Sequence, residues 1–168
     1  MTLIAHFQQL TCYNTLANQR LYQVCAQLTE TDRQQLRPAF FKSIHATLNH
    51  ILVGDRIWMS RFREGVTPVI ALDAVLYENF AELWAKRIQA DVEIEQFFSA
   101  LPEERISQTL QYRNSSGHLH TDPLNLLMAH FFNHQTHHRG QVHDMLSQTR
   151  IKPPSLDMHQ ILRPGSQS

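Results

Sequence analysis

The 168-residue chain has only two cysteines, Cys12 and Cys25. Thirteen positions apart on one predicted helix, they are separated by about 20 Å of axial rise, well beyond the reach of a disulfide. Neither has metal-motif spacing, so any fold must be held without cross-links and any metal site built mainly from other ligands. Long apolar runs are missing too, which excludes a membrane-spanning helix. The N-terminus Met1-Thr-Leu-Ile-Ala-His-Phe-Gln-Gln lacks a basic stretch followed by an apolar one, so no secretory signal is expected and cytoplasmic residence is. No excess of charge exists: fifteen basic residues balance fifteen acidic ones, and no dense Lys/Arg stripe is present to neutralise phosphates. Nucleic acid is therefore not expected as a partner. A 42% hydrophobic, 18% charged composition leaves no disordered or low-complexity stretch of consequence, and the length suits one domain over 1–168.

What is present is helical periodicity. Leu3, Phe7, Leu10, Ala17, Leu21, Val24 and Leu28 recur at helical spacing from about residue 2 to 28, and Thr29-Glu-Thr-Asp-Arg interrupts them. A second helix is predicted from the N-cap Ser43 to about Arg63, stopped by Gly65 with Pro68 beyond. A third spans about 79–100, using Phe80, Leu83, Trp84, Ile88, Val92 and Phe98, and ends before Pro102. The fourth starts near Pro123, which the first turn of a helix tolerates, and continues to about Gln148. A short helical piece follows around Leu156 to Ile161. The expected architecture is all-α: a four-helix bundle with long crossover connections at about 64–78 and before the fourth helix. In the latter, Thr109-Leu-Gln-Tyr-Arg-Asn-Ser-Ser-Gly combines β-leaning residues with turn chemistry.

Histidine is the residue in excess. Five of eleven fall between His130 and His143, inside the fourth helix. His134 and His138 are one turn apart, about 40° from each other at roughly 100° per residue, on or beside the stripe of Leu124, Leu127, Phe131, Val142 and Met145. Two buried imidazoles at this spacing suit a shared ion, because each buried ring needs partners for two nitrogens. His143 lies on the opposite face and is expected to meet water. His130 and His137 flank the pair and are second choices, for hydrogen bonding or the mouth of a cavity. His6, His45, His118, His120 and His159 are expected to be surface or hydrogen-bonded residues. Gln135 stands where the metalloprotease motif H-E-x-x-H requires glutamate, which argues against that class. A third ligand must come from a facing helix. Of the two histidines on the second helix, His50 shares its face with Ala46, Gly54 and Ile57, residues suited to close packing, whereas His45 is about 140° away.

Three segments taken together, Tyr13-Asn-Thr-Leu-Ala-Asn-Gln-Arg-Leu, Thr47-Leu-Asn-His-Ile-Leu-Val-Gly-Asp-Arg-Ile-Trp58 and His130-Phe-Phe-Asn-His-Gln-Thr-His-His-Arg-Gly-Gln141, closely resemble the DinB family. The resemblance covers about Leu3 to Leu146. It implies a four-helix bundle, often dimeric, holding a divalent metal on one histidine of helix two and two of helix four, which map to His50, His134 and His138. Asp55 and Trp58 resemble the family's Asp-x-x-Trp, with core packing expected for Trp58 and either an orienting role or a surface role for Asp55. Within Arg139-Gly140-Gln141, Gly140 is expected to allow close backbone approach and Gln141 to lie near the metal face.

Three neutral imidazoles with an open position describe a catalytic rather than a structural metal site. The resemblance extends to thiol-dependent transferases and isomerases, so the expected function is a metal-dependent enzyme, an S-transferase activating a small thiol against an electrophilic substrate, or a hydrolase activating water. The alternative is a non-enzymatic metal-binding stress protein, inducible by DNA damage without touching DNA. Zinc or nickel is the expected ion, and a homodimer the expected assembly.

Overall fold

In a computed structural model, residues 1–163 are described, and seven helices and two strands are found among them. Helix α1 (Leu3–Cys25) is capped by Thr2, whose hydroxyl accepts from the Ala5 amide. Where the sequence pattern breaks, Thr29 and Asp32 form a reciprocal capping box that starts the short helix α2 (Glu30–Gln34). Helix α3 (Ile44–Glu64) begins at Ser43, whose side chain accepts from Ala46, and ends at Gly65 with φ 68°, a left-handed stop that glycine adopts without strain. Helix α4 (Phe80–Ala100) is capped by Asn79, and a one-turn helix α5 (Glu103–Ile106) follows.

The β-leaning segment does form strands. β1 (Thr109–Arg113) and β2 (Leu119–Pro123) pair antiparallel, Thr109 opposite Pro123, around a turn closed by Asn114 and by Gly117 at φ 82°. This hairpin is a minor addition to a helical protein. Its second strand runs straight into α6 (Leu124–Ser147), and α7 (Met158–Ile161) is the short C-terminal piece. No helix among the described residues is long and apolar enough to cross a membrane. Both cysteines are free, Cys12 exposed and Cys25 buried.

The principal packing pairs are α1 on α4 and α3 on α6, completed by α1 on α6 and α3 on α4. Going round the bundle the order is therefore α1, α4, α3, α6, which makes α1 and α3 diagonal neighbours, as are α4 and α6. The long loop 65–79 lies against α3: the Tyr77 carbonyl meets the ring of His45, and the Tyr77 amide donates to Asn49.

The core is layered. At one end Phe7, Met59, Phe62, Phe98, Phe131 and Phe132 pack together, and at the other Leu21, Tyr22, Leu48, Leu52, Leu83 and Leu146 do. Between these apolar layers every long helix contributes polar side chains: Asn14 and Asn18 from α1, Asp55 from α3, Arg87 and Asp91 from α4, Gln135 and Arg139 from α6, all buried. Arg87 pairs with Asp55 and, at 3.0 Å, with Asp91. Asn18 donates to Asp91 at 2.9 Å, and Arg139 donates to Asn14, Asn18 and Gln135. Two cations thus face two carboxylates, and the amides bridge them. Burial pushes the Asp91 carboxyl up to about 6 against the pull of Arg87.

Candidate metal centre

The close contact of α3 with α6 has a local cause in Gly54. A β-carbon there would lie 2.6 Å from Cε1 of His134 and 3.2 Å from its Nδ1, so the imidazole occupies the space that any larger residue would fill. His134 and His138, one turn apart on α6, then face His50 on α3. The Nε2 atom of His50 is 3.1 Å from Nε2 of His134 and 3.1 Å from Nε2 of His138. Among the described residues these three histidines form the group whose donor atoms converge within 4.8 Å. No carboxylate or thiolate belongs to it.

Protonation follows from the outer partners. Nδ1 of His50 is 2.7 Å from the Leu72 carbonyl, which can only accept, so the proton of the neutral ring sits on Nδ1 and its Nε2 presents a lone pair. On the other helix, Nδ1 of His138 donates to Oε1 of Gln141 at 2.8 Å, while Nε2 of Gln141 donates to His137 at 3.1 Å. Nε2 of His138 is therefore also a lone pair. Burial lowers the proton affinity of all three rings. His134 falls to about 3, with further depression from neighbouring histidines; burial, helped by the neighbouring His50 and His137, outweighs the Gln141 bond to bring His138 to about 4; His50 is lowered despite its Leu72 bond. All three rings are neutral at physiological pH.

Two lone pairs pointed at each other across 3.1 Å repel unless a cation lies between them. Ligands about 2.0–2.1 Å from a tetrahedral zinc are about 3.3 Å apart, close to the separation here. The donor set thus fits a divalent ion of the kind imidazole prefers.

The other histidines separate as the face geometry implies, with differences of detail. His45 is buried with Nε2 2.8 Å from the Tyr77 carbonyl, a structural role. His6, His118, His120 and His159 are exposed, and His143 is half-buried. His130 packs its ring 5.2 Å from that of Trp58. His137 is exposed and borders the cavity beside the triad, with Phe40, Phe41, His50, Leu72 and His138 among the other lining residues.

Trp58 is half-buried against Phe62 and Tyr112 with the Arg61 guanidinium over its ring. Asp55 makes no bond to the triad; it is a member of the polar layer, paired with Arg87. Gly140 is a correction: it is exposed and a β-carbon there would meet nothing within 4 Å, so no helix approaches it, and the close approach occurs at Gly54 instead. Sequence reasoning did not find Arg87 and Asp91. Their signal was there, two charges spaced i, i+4 on the same face of α4 as Leu83, Ile94 and Phe98. Nothing in the sequence marked Phe41, whose ring stacks on His50 at 3.8 Å, or the Leu72 carbonyl.

A four-helix bundle whose facing helices converge three histidines defines a class of helical proteins with a histidine-triad site. The chain belongs to the DinB family, whose sequence model it matches over residues 2–165. It is 30% identical over 146 residues to Protein DinB of Bacillus subtilis (strain 168), an alignment covering 81% of each chain. Its fold is similar to the crystal structure of a DinB-like protein from Bacillus cereus ATCC 10987, with a TM-score of 0.61 at 18% identity, covering 84% of this chain and 91% of the other.

Proposed function

We propose that this protein is a metal-dependent enzyme in which His50, His134 and His138 hold one divalent ion, zinc or nickel, and that it transfers a small thiol to an electrophilic substrate. The observation behind the metal is the pair of lone-pair-bearing Nε2 atoms of His50 and His138 held 3.1 Å apart. An ion held by three neutral imidazoles supplies a lowered pKa to a coordinated thiol or water, so that a nucleophile is ready near neutral pH. Leu72 and Gln141 fix the rings that would hold it, as partners to the outer nitrogens of metal-binding histidines do.

Thiol transfer is favoured over hydrolysis by the acid-base groups around the triad. A thiolate needs no general base once its proton has left for solvent; its sulfur forms the new bond to carbon and the leaving group departs with the bonding pair. Hydrolysis of an amide or ester also needs a proton delivered to the leaving nitrogen or oxygen, commonly by a carboxyl group; none converges on the triad, and Asp73, at the cavity's edge, is exposed. The thiol-dependent enzymes implied by the family resemblance point the same way. We further propose a homodimer through the outer faces of the helices, where exposed Leu3 and Leu126 flank a groove between α1 and α6.

Cobalt substitution tests the chemistry. Adding glutathione or bacillithiol should produce a sulfur-to-metal charge-transfer band, and an aryl halide should then be conjugated; His138→Ala should abolish both. Metal-dependent ester or amide turnover with no thiol band would make it a hydrolase. Metal bound with neither activity would favour a non-enzymatic stress protein.

A further inference from the structure

The cavity beside the triad has a volume of about 520 Å³, within the range of small-molecule sites. Its wall is unusual in origin. Phe40 and Phe41 come not from a helix but from the loop preceding α3, their rings edge to face at 4.9 Å. Phe41 lays its face on His50 at 3.8 Å and makes an edge-to-face pair with His138 at 5.6 Å. Phe40 is 79% exposed, so folding gains little from it.

The loop holds these rings in a fixed place. Lys42, immediately after them, has φ 66°, the one non-glycine residue in the left-handed region among those described, a conformation that costs energy for a residue with a side chain. It is enforced by a tight set of backbone bonds: Arg37 donates to the Lys42 carbonyl at 2.7 Å, Lys42 to Ala39 at 3.0 Å and Ser43 to Phe41 at 2.8 Å. The Arg37 guanidinium ties the loop down by donating to the carbonyls of Asp32 and Gln35. Leu72, whose carbonyl holds His50, lines the same cavity as the phenyl rings. The polar edge is made by Asp73, His137 and Gln141, and no lysine or arginine lines the cavity. Away from the triad such a cavity has no cationic side chain to pair with an anion and, with Asp73 at its edge, disfavours a charged group on the part of a ligand that does not reach the ion.

We propose that Phe40, Phe41 and Leu72 form a subsite for the uncharged, aryl-bearing part of the electrophilic substrate, seated beside the triad so that the nucleophile and the reacting carbon meet there. This assignment rests on the metal-centred reading above. Phe41 serves twice, presenting a face for stacking and shielding one flank of His50 and His138 from water. An exposed phenylalanine and a strained lysine, otherwise costs to the fold, both act at this one wall.

Two ligands with the same metal-binding head separate the subsite from the metal. Acetohydroxamate and benzohydroxamate differ in a methyl against a phenyl group, and calorimetry on the zinc-loaded protein measures both. Benzohydroxamate should bind roughly tenfold tighter or better, from the extra apolar area it buries. Phe41→Ala should shrink that ratio at least threefold, as should Phe40→Ala, whose exposed position keeps the fold out of question. Because the ratio cancels the common head group, changes in the metal centre itself do not move it. A wild-type ratio near one, or a ratio unaltered in both variants, overturns the subsite while leaving the metal reading intact. If the protein takes up one equivalent of zinc but binds neither hydroxamate, the subsite does not open on the ion and the proposal falls. Failure to take up zinc at all refutes the metal reading, and the subsite with it.

Discussion

Gly54→Ala adds a single methyl group and tests whether the ring of His134 is held where a metal needs it. The new carbon would lie 2.6 Å from Cε1, about 0.8 Å inside the 3.4 Å at which ordinary contact begins. The imidazole has to yield, since the other side of the clash is the backbone of α3. Metal–nitrogen distances tolerate only about 0.2 Å, so a retreat of this size pulls Nε2 of His134 off any ion shared with His50 and His138. Two terms oppose each other in the stability of the metal-free protein. Alanine gains about 1 kcal/mol over glycine inside a helix, while overpacking costs about 1–3 kcal/mol. The net effect is between zero and about 2 kcal/mol of destabilisation. Zinc affinity should fall by about tenfold to a hundredfold, the scale seen when the support of a ligand is disturbed. Calorimetry against a competing chelator gives the affinity, and urea denaturation of the apo protein gives the stability. An unchanged zinc affinity in a folded Gly54→Ala protein would refute the argument that this glycine makes room for a ligand.

The pH dependence of metal binding has a definite sign. With His134 at about 3, His138 at about 4 and His50 lowered as well, protons compete for the folded site only below the ordinary histidine value of 6.5, so zinc affinity should hold level as the pH falls from 8 to 6.5 and decline only at lower pH; a midpoint at or above 6.5 would contradict it. Affinity is the readout because apo stability mixes opposite contributions: unfolded histidines take up protons below 6.5 and acid weakens the fold through them, whereas Asp91, raised to about 6, is protonated more readily in the folded state and acid strengthens the fold through it. Asp55→Ala removes one of the two buried carboxylates of Arg87 while Asp91 remains, and should cost about 1.5–3 kcal/mol, the scale of a lost hydrogen bond to a charged group, read as a lower urea midpoint; an unchanged midpoint would show that this pair does not stabilise the fold. Light scattering at micromolar concentration should give about twice 19.6 kDa, and a clean monomer would remove the dimer without touching the metal centre.

The elements and site residues that could be read from the sequence are those fixed by short-range rules. Ser43, Gly65 and Asn79 bound α3 and α4 because caps and left-handed stops act within one turn, and His134 and His138 stand together because a helix has a fixed period. His50 is distinguished from His45 by its face, shared with Gly54, and the same face puts its Nε2 3.1 Å from both partners. In the sequence Thr29 to Arg33 shows only as a break, since a capping box closes one helix pattern and opens another in the same residues. The strands of the hairpin are five residues each, too short for alternation to outweigh the helical context. Leu72 reaches the site through a backbone carbonyl, which carries no side-chain signal, and Phe41 arrives through a strained loop whose course depends on tertiary contacts. The polar layer was obscured because each member, read alone, is an ordinary helix residue; only the bundle sets Asn14, Asp55, Arg87 and Arg139 at one level.

Metal content of protein purified without a histidine tag, dialysed after exposure to zinc, addresses the three-histidine centre directly. Wild type should retain about one equivalent of ion per chain, and His134→Ala, folded by circular dichroism, should retain almost none, while His143→Ala should match wild type. Full retention by His134→Ala, or equal loss from both variants, would contradict the assignment of His50, His134 and His138 as the metal-binding set.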